Sequence, residues 1–174
     1  MADALHQVNL TVSSEEDRLL LRLSTSKRLE YRLWLTRRFL RALWQVLLQA
    51  AERLPGVGEQ SDEAVRKVLL SFQHDAAVKE ADFKTAYKAG DLGTPFGPEP
   101  ALLCGAKLKT MRSGAVELSL ETIEKQTLSV RLDAKLLHSL CSVLAAAAAK
   151  AEWDLDLRVG VPLQGDRPER PRLH

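Results

Sequence analysis

Cysteine is scarce in this chain. Cys104 and Cys141 are the only two in 174 residues, too few for a disulfide framework or a cysteine-based metal centre. Histidine is almost as sparse, and His6, His74, His138 and His174 lack the spacing of zinc ligands. There is no Gly-rich phosphate loop, no G-x-S-x-G elbow and no paired acidic motif of a known kind. The chain therefore reads as a non-enzyme, with no catalytic residue, no metal ligand and no cofactor assigned. Long apolar runs are missing too. The best candidate, residues 136–149, is interrupted by His138, Ser139 and Ser142 and falls short of the roughly 20 residues that cross a bilayer. It reads as a buried helix. Residues 1–7 lack a charged stretch leading into an apolar core, so a secretory signal is not expected. A cytoplasmic protein with both thiols free follows. No large excess of charge exists either, since 25 Lys and Arg face 23 Asp and Glu for a net +2, which does not by itself imply nucleic acid. With 45% hydrophobic and 28% charged residues, the chain suits one folded domain.

What is present is a repeat. Residues 18–47 moved forward by 97 positions bring Leu19, Leu21 and Leu23 onto Val116, Leu118 and Leu120, without a gap. Tyr31, Leu33 and Leu35 fall on Leu128, Val130 and Leu132, and Thr36 on Asp133. Phe39, Leu40, Leu43, Val46 and Leu47 fall on Leu136, Leu137, Leu140, Val143 and Leu144. The shared feature is apolar pattern more than identity. Each copy reads β-β-β-α. Val8, Leu10 and Val12 alternate with polar residues, as do Leu19, Leu21 and Leu23, and again Leu29, Tyr31, Leu33 and Leu35. The hydroxyl of Thr36 and the carboxylate of Asp133 are placed to cap the two helices by accepting from exposed N–H groups. Pro55-Gly56 stops the first helix near Leu54. The second copy places strands near residues 106–111, 115–121 and 127–132, with Ser113-Gly114 as a tight turn, and its helix ends near Glu152.

The expected fold is α+β: two pseudo-symmetric β-β-β-α repeats, residues 6–54 and 104–152, forming antiparallel sheet packed on two helices. Between them lies a helical insert, residues 56–100, carrying a net charge of −3. Its helix is expected to start at an N-cap Ser61 and to pack through Ala64, Val65, Val68, Leu69 and Phe72. Residues 90–100 are loop, being rich in Gly and Pro. Trp153, Leu155 and Leu157 suggest a short edge strand, and residues 158–174 a frayed tail.

Alternation also assigns faces. Leu19, Leu21, Leu23, Tyr31, Leu33 and Leu35 point inward, leaving Arg18, Leu20, Arg22, Glu30, Arg32 and Trp34 outside. Arginines beside an aromatic ring are the combination that holds single-stranded nucleic acid, through phosphate contacts and base stacking. Arg18, Arg22, Arg32 and Trp34 are thus candidate nucleic-acid contacts, joined by Lys107 and Lys109 from the second copy. That copy is poorer in cations, because its outer face holds Glu117 and Glu121 with Ser119, Thr127, Ser129 and Arg131. A solvated sheet face is the plainer alternative. Arg37, Arg38 and Arg41 stand in the first turns of the first helix, where its dipole disfavours positive charge by roughly 0.3–1 kcal/mol each. Acidic neighbours from the insert would compensate them, or an anionic partner would meet them. Trp44 lies beside Arg37 on a flank outside the dry stripe, and its counterpart is the small Cys141. Either the two helices touch there or Trp44 marks a partner surface. Arg37, Arg38, Arg41 and Trp44 are therefore candidate partner contacts. His138 is placed on a helix surface, Cys104 at a strand edge and Cys141 in packing.

The segment Tyr31-Arg32-Leu33-Trp34-Leu35-Thr36, followed by an apolar helix with Trp44, resembles the Whirly and positive-cofactor group of single-stranded-DNA-binding transcriptional regulators. The resemblance covers about a third of the chain. It implies sheets with helices packed at their centre and outer sheet faces that bind strand nucleic acid. Two functions are carried forward: an interaction or scaffold module with a protein partner, and a non-specific binder of single-stranded nucleic acid. Neither involves a membrane, and self-association is open to both.

Overall fold

The computed structural model describes residues 2–82, 84–88 and 90–160. Chain order is β1 (Asp3–Ser13), β2 (Arg18–Thr25), β3 (Glu30–Thr36), α1 (Arg37–Ala51), α2 (Glu63–Glu80), β4 (Ala101–Thr110), β5 (Val116–Thr122), β6 (Thr127–Leu132) and α3 (Ala134–Lys150). The expected α+β class holds. The six strands follow one another around a closed barrel. Four neighbouring pairs are antiparallel. The two seams are parallel and short: Leu33 and Trp34 meet Ala101 and Leu102, while Asp3 and Ala4 meet Val130 and Arg131. β1 and β4 each carry a register shift, between Leu5 and Gln7 and between Leu103 and Gly105.

Period-two alternation sets the inside of the barrel. Leu19, Leu33, Leu35 and Leu132 are fully buried, and the apolar stripes of α1 and α3 supply Leu40, Leu47, Leu137 and Leu144 to the same core. Both helices begin where their caps predict. Thr36 Oγ1 accepts from the Phe39 amide at 3.2 Å, and Asp133 Oδ1 from the Leu136 amide at 2.8 Å. Each cap is worth about 1 kcal/mol. The α1 chain turns away at Pro55 and Gly56. Gly114, at φ +81, closes the β4–β5 turn so tightly that a Cβ there would lie 2.9 Å from Pro55 Cγ.

Several expectations need correction. α2 starts from Asp62, whose carboxylate accepts from the Ala64 and Val65 amides, because a carboxylate one residue later outcompetes the Ser61 hydroxyl. Its packing face is also the other one. Leu70 and Ser71 are buried while Val65, Val68 and Phe72 lie exposed. β4 begins at Ala101, five residues before the expected start, drawn out by its seam with β3. No strand forms at Trp153, because Glu152 and Asp154 adopt φ +56 and +50. Trp153 is instead buried and its indole donates to Asp17 Oδ1 at 2.8 Å. Most of the expected frayed tail, residues 161–174, lies outside the described residues. Among the described residues no helix is long and apolar enough to cross a membrane.

Candidate interaction surface

On the outside of the barrel the register lines up one row of apolar side chains. Leu20 on β2 stands opposite Trp34 on β3. Trp34 stands opposite Leu102 across the parallel seam. The Ile123 amide then donates to the Leu102 carbonyl at 3.0 Å, which brings the end of β5 alongside. Leu20, Trp34 and Leu102 are each partly exposed, and Ile123 is 57% exposed. Alternation puts all four on the solvent side of residues that are buried, among them Leu21, Leu33, Leu35 and Leu103. The row is apolar surface crossing three strands and reaching a fourth.

A charged cluster lies beside the Leu20–Trp34 part of the row, two to four residues along β2 and β3. Glu30 belongs to the outer face, as alternation predicts, yet it is only 3% exposed. Its Oε1 accepts from Arg22 Nη2 at 3.0 Å and from the Tyr87 hydroxyl at 2.9 Å, and its Oε2 from Arg32 Nε at 2.8 Å. Arg32 also donates to the Pro98 carbonyl, and the Arg22 guanidinium lies 4.5 Å over the Tyr87 ring. Burial pushes the Glu30 carboxyl up, but the bonds from Tyr87, Arg32 and Arg22 outweigh it and hold the group below its ordinary range. Burial, and then Glu30, push the Tyr87 phenol up to about 12. Arg22 and Arg32 are thus paired with one buried carboxylate while their side chains stay partly exposed. The expected four-residue platform keeps Trp34 and Arg18 outward, and Arg18 has only a loose 3.7 Å contact with Glu16.

Lys107 and Lys109 are exposed opposite Ser119 and Glu117. They lie five and seven residues along β4 from Leu102, which at about 3.3 Å per residue puts Lys107 some 16 Å from the row. The structure does not bring them together with Trp34. Arg37, Arg38 and Arg41 are exposed, the first turn of α1 has no acidic residue, and no ion pair involves them among the described residues. The expected compensation from the insert is not seen among the described residues; two of its carboxylates pair elsewhere, Glu63 with Lys67 and Glu80 with Lys135. Trp44 is corrected as a partner contact. It is 2% exposed, because α1 packs on α3, where Cys141 is fully buried. Cys104 and Cys141 are both free, the first exposed.

Sequence reasoning missed the histidine pair. His138 is not on the surface but 1% exposed, and its Nδ1 lies 3.2 Å from Nδ1 of His74 on α2. The residues are 64 positions apart on helices whose contact no local pattern announces. Burial depresses both imidazoles, and the neighbouring His74 pushes His138 down further, to about 4. Among the described residues no three His, Cys, Asp or Glu side chains gather as metal ligands. No family model, no curated protein and no solved structure matches the chain.

Proposed function

We propose that this chain is a non-enzymatic interaction module that holds a protein partner on the outer face of its barrel, over Leu20, Trp34, Leu102 and Ile123. The continuous apolar row carries the reading. Scattered exposed hydrophobics are ordinary, whereas contiguous ones centred on a tryptophan have the composition of interface centres. Arg37, Arg38 and Arg41, which begin three residues after Trp34, supply a cationic flank without ion-pair partners among the described residues.

We read the scaffold as a duplicated β-β-β-α unit related by a pseudo-two-fold axis, with α2 as the insert. The two parallel seams, the two register shifts and the two capped helices recur at offsets of 97 or 98 residues, which favours that reading. The pair of free cysteines accords with a cytoplasmic setting.

A second reading, single-stranded nucleic acid on the same face, draws on the exposed arginines beside a partly exposed Trp34 and on the family resemblance. The Glu30 cluster weighs against it, because a phosphate would have to compete with a buried carboxylate for Arg22 and Arg32. Affinity capture on immobilised wild-type and Trp34→Lys protein tests the first reading. A bound protein that survives nuclease treatment and is lost with Trp34→Lys supports it. Equal capture by both proteins, or retention that nuclease abolishes, contradicts it.

A further inference from the structure

A different part of the barrel has the form of a peptide site. β1 meets β6 only at Asp3 and Ala4. Beyond Ala4 the chain of β6 has already turned into α3, so β1 runs on with β2 along one edge and α3 along the other. A strand edge without a strand beside it presents alternate N–H and C=O groups outward. Next to this edge lies a cleft of about 500 Å³. Residues 5–8 of β1 form one wall. Leu136, Leu140 and Val143, spaced to fall on one helix face, form the other.

The polar side chains around the cleft are largely engaged already. Gln7 Oε1 accepts from the Lys88 amide, the Tyr87 hydroxyl goes to Glu30, Ser139 Oγ goes to the Lys135 carbonyl, and Asp133 Oδ1 caps α3. Asp82 accepts from the Lys84 and Thr85 amides and the Thr85 hydroxyl, so that the two carboxylates offer a partner their charge and remaining lone pairs. Recognition is left to a backbone edge above an apolar floor, the arrangement that selects another backbone over a polar small molecule. Charge narrows the occupant. Asp82 and Asp133 line the cleft, and the one lysine or arginine among the described lining residues, Lys135, is drawn to Glu80 at 3.5 Å. His6 is the remaining titratable lining residue, exposed at the rim.

We infer that the groove between residues 5–8 of β1 and the first turns of α3 binds an extended peptide as an added strand, one that alternates apolar with basic side chains. The apolar side chains enter toward Leu136 and Leu140, the basic ones meet Asp82 and Asp133, and the peptide backbone pairs with the free edge of β1. The site is separate from the Trp34 row and does not depend on it.

The test uses the full chain, isotope-labelled for NMR, and the probe acetyl-Lys-Val-Lys-Val-Lys-Val-Lys-amide. Binding should shift the amides of residues 5–8 and 136–143 and slow the exchange of alternate β1 amides. A copy of the probe N-methylated at alternate residues, which cannot pair along one edge, should bind at least tenfold more weakly. Replacing its lysines by glutamates should have a similar effect. Ser139→Trp, which fills the groove from a partly exposed position, should abolish the shifts while Trp34→Ala leaves them intact. Equal binding of the N-methylated or the glutamate probe overturns the inference, as do shifts confined to the Trp34 face or no binding at millimolar probe.

Discussion

Acidification should loosen this fold through one histidine pair, a buried His138 against a half-buried His74. His74 and His138 join α2 to α3 by a single Nδ1–Nδ1 hydrogen bond of 3.2 Å, which needs a lone pair on at least one ring. His138 Nε2 is buried and has no hydrogen-bond partner among the described residues, so a proton added there would place a charge where none of them accepts from it. In the folded state His138 titrates at about 4, against 6.5 for a free imidazole, because of burial first and His74 second. The unfolded chain therefore takes up the proton first, and stability must fall as pH falls. The contribution is complete above about pH 6.5, declines between there and about pH 4, and then levels off. At about 1.4 kcal/mol per pH unit, that interval amounts to about 3 kcal/mol from His138. Urea denaturation of wild type and His138→Leu at several pH values between 7.5 and 4 isolates it, since carboxylate effects common to both proteins cancel in the difference. The wild type should lose about 3 kcal/mol more than the variant across that range. Parallel profiles would refute the reasoning.

The orientation of α2 makes a paired prediction: Leu70→Ala should cost about 2–5 kcal/mol, while Phe72→Ser, at a 61% exposed position, should stay within about 0.5 kcal/mol, both by chemical denaturation. Glu30→Gln should destabilise by about 1–3 kcal/mol, because Arg22, Arg32 and Tyr87 lose a shared charged acceptor; a thermal midpoint unchanged from wild type would contradict the buried cluster. Gly114→Ala should cost more than about 1 kcal/mol, given its positive φ and the 2.9 Å approach to Pro55, and an unchanged urea midpoint would show that the turn adapts.

The strands and their faces were legible in the sequence because a period of two is a local signal. Leu19, Leu21, Leu23, Leu33 and Leu35 are buried as their alternation requires. Thr36 and Asp133 cap their helices because a cap acts within three residues. What the sequence hid depends on contacts between distant segments. The stripe of α2 pointed to Val65 and Phe72, but helix periodicity says only that one face differs, and tertiary packing chose Leu70 and Ser71. Trp44 was open to two readings, a contact between the two helices or a partner surface, and the packing of α1 on α3 decides for the first. Glu30 was placed on the correct face, yet its burial comes from Tyr87, 57 residues on. The pairing of Arg22 and Arg32 with Glu30 lay within reach of that face assignment, since Arg22 stands opposite Arg32 and Glu30 two residues before it; the Tyr87 contact did not, because no spacing within β2 and β3 points to it.

The claim that the Trp34 row meets a protein, rather than a nucleic acid strand, is tested most directly by salt. The dissociation constant of the captured partner should be measured at about 50 mM and about 200 mM salt, the range over which phosphate contacts are most telling. An interface centred on Leu20, Trp34, Leu102 and Ile123 should change by less than about fivefold, since apolar contacts are not screened. Strand binding through Arg18, Arg37, Arg38 and Arg41 would release counterions at about 0.7 per phosphate and weaken roughly fiftyfold over the same interval, and that result would contradict the account.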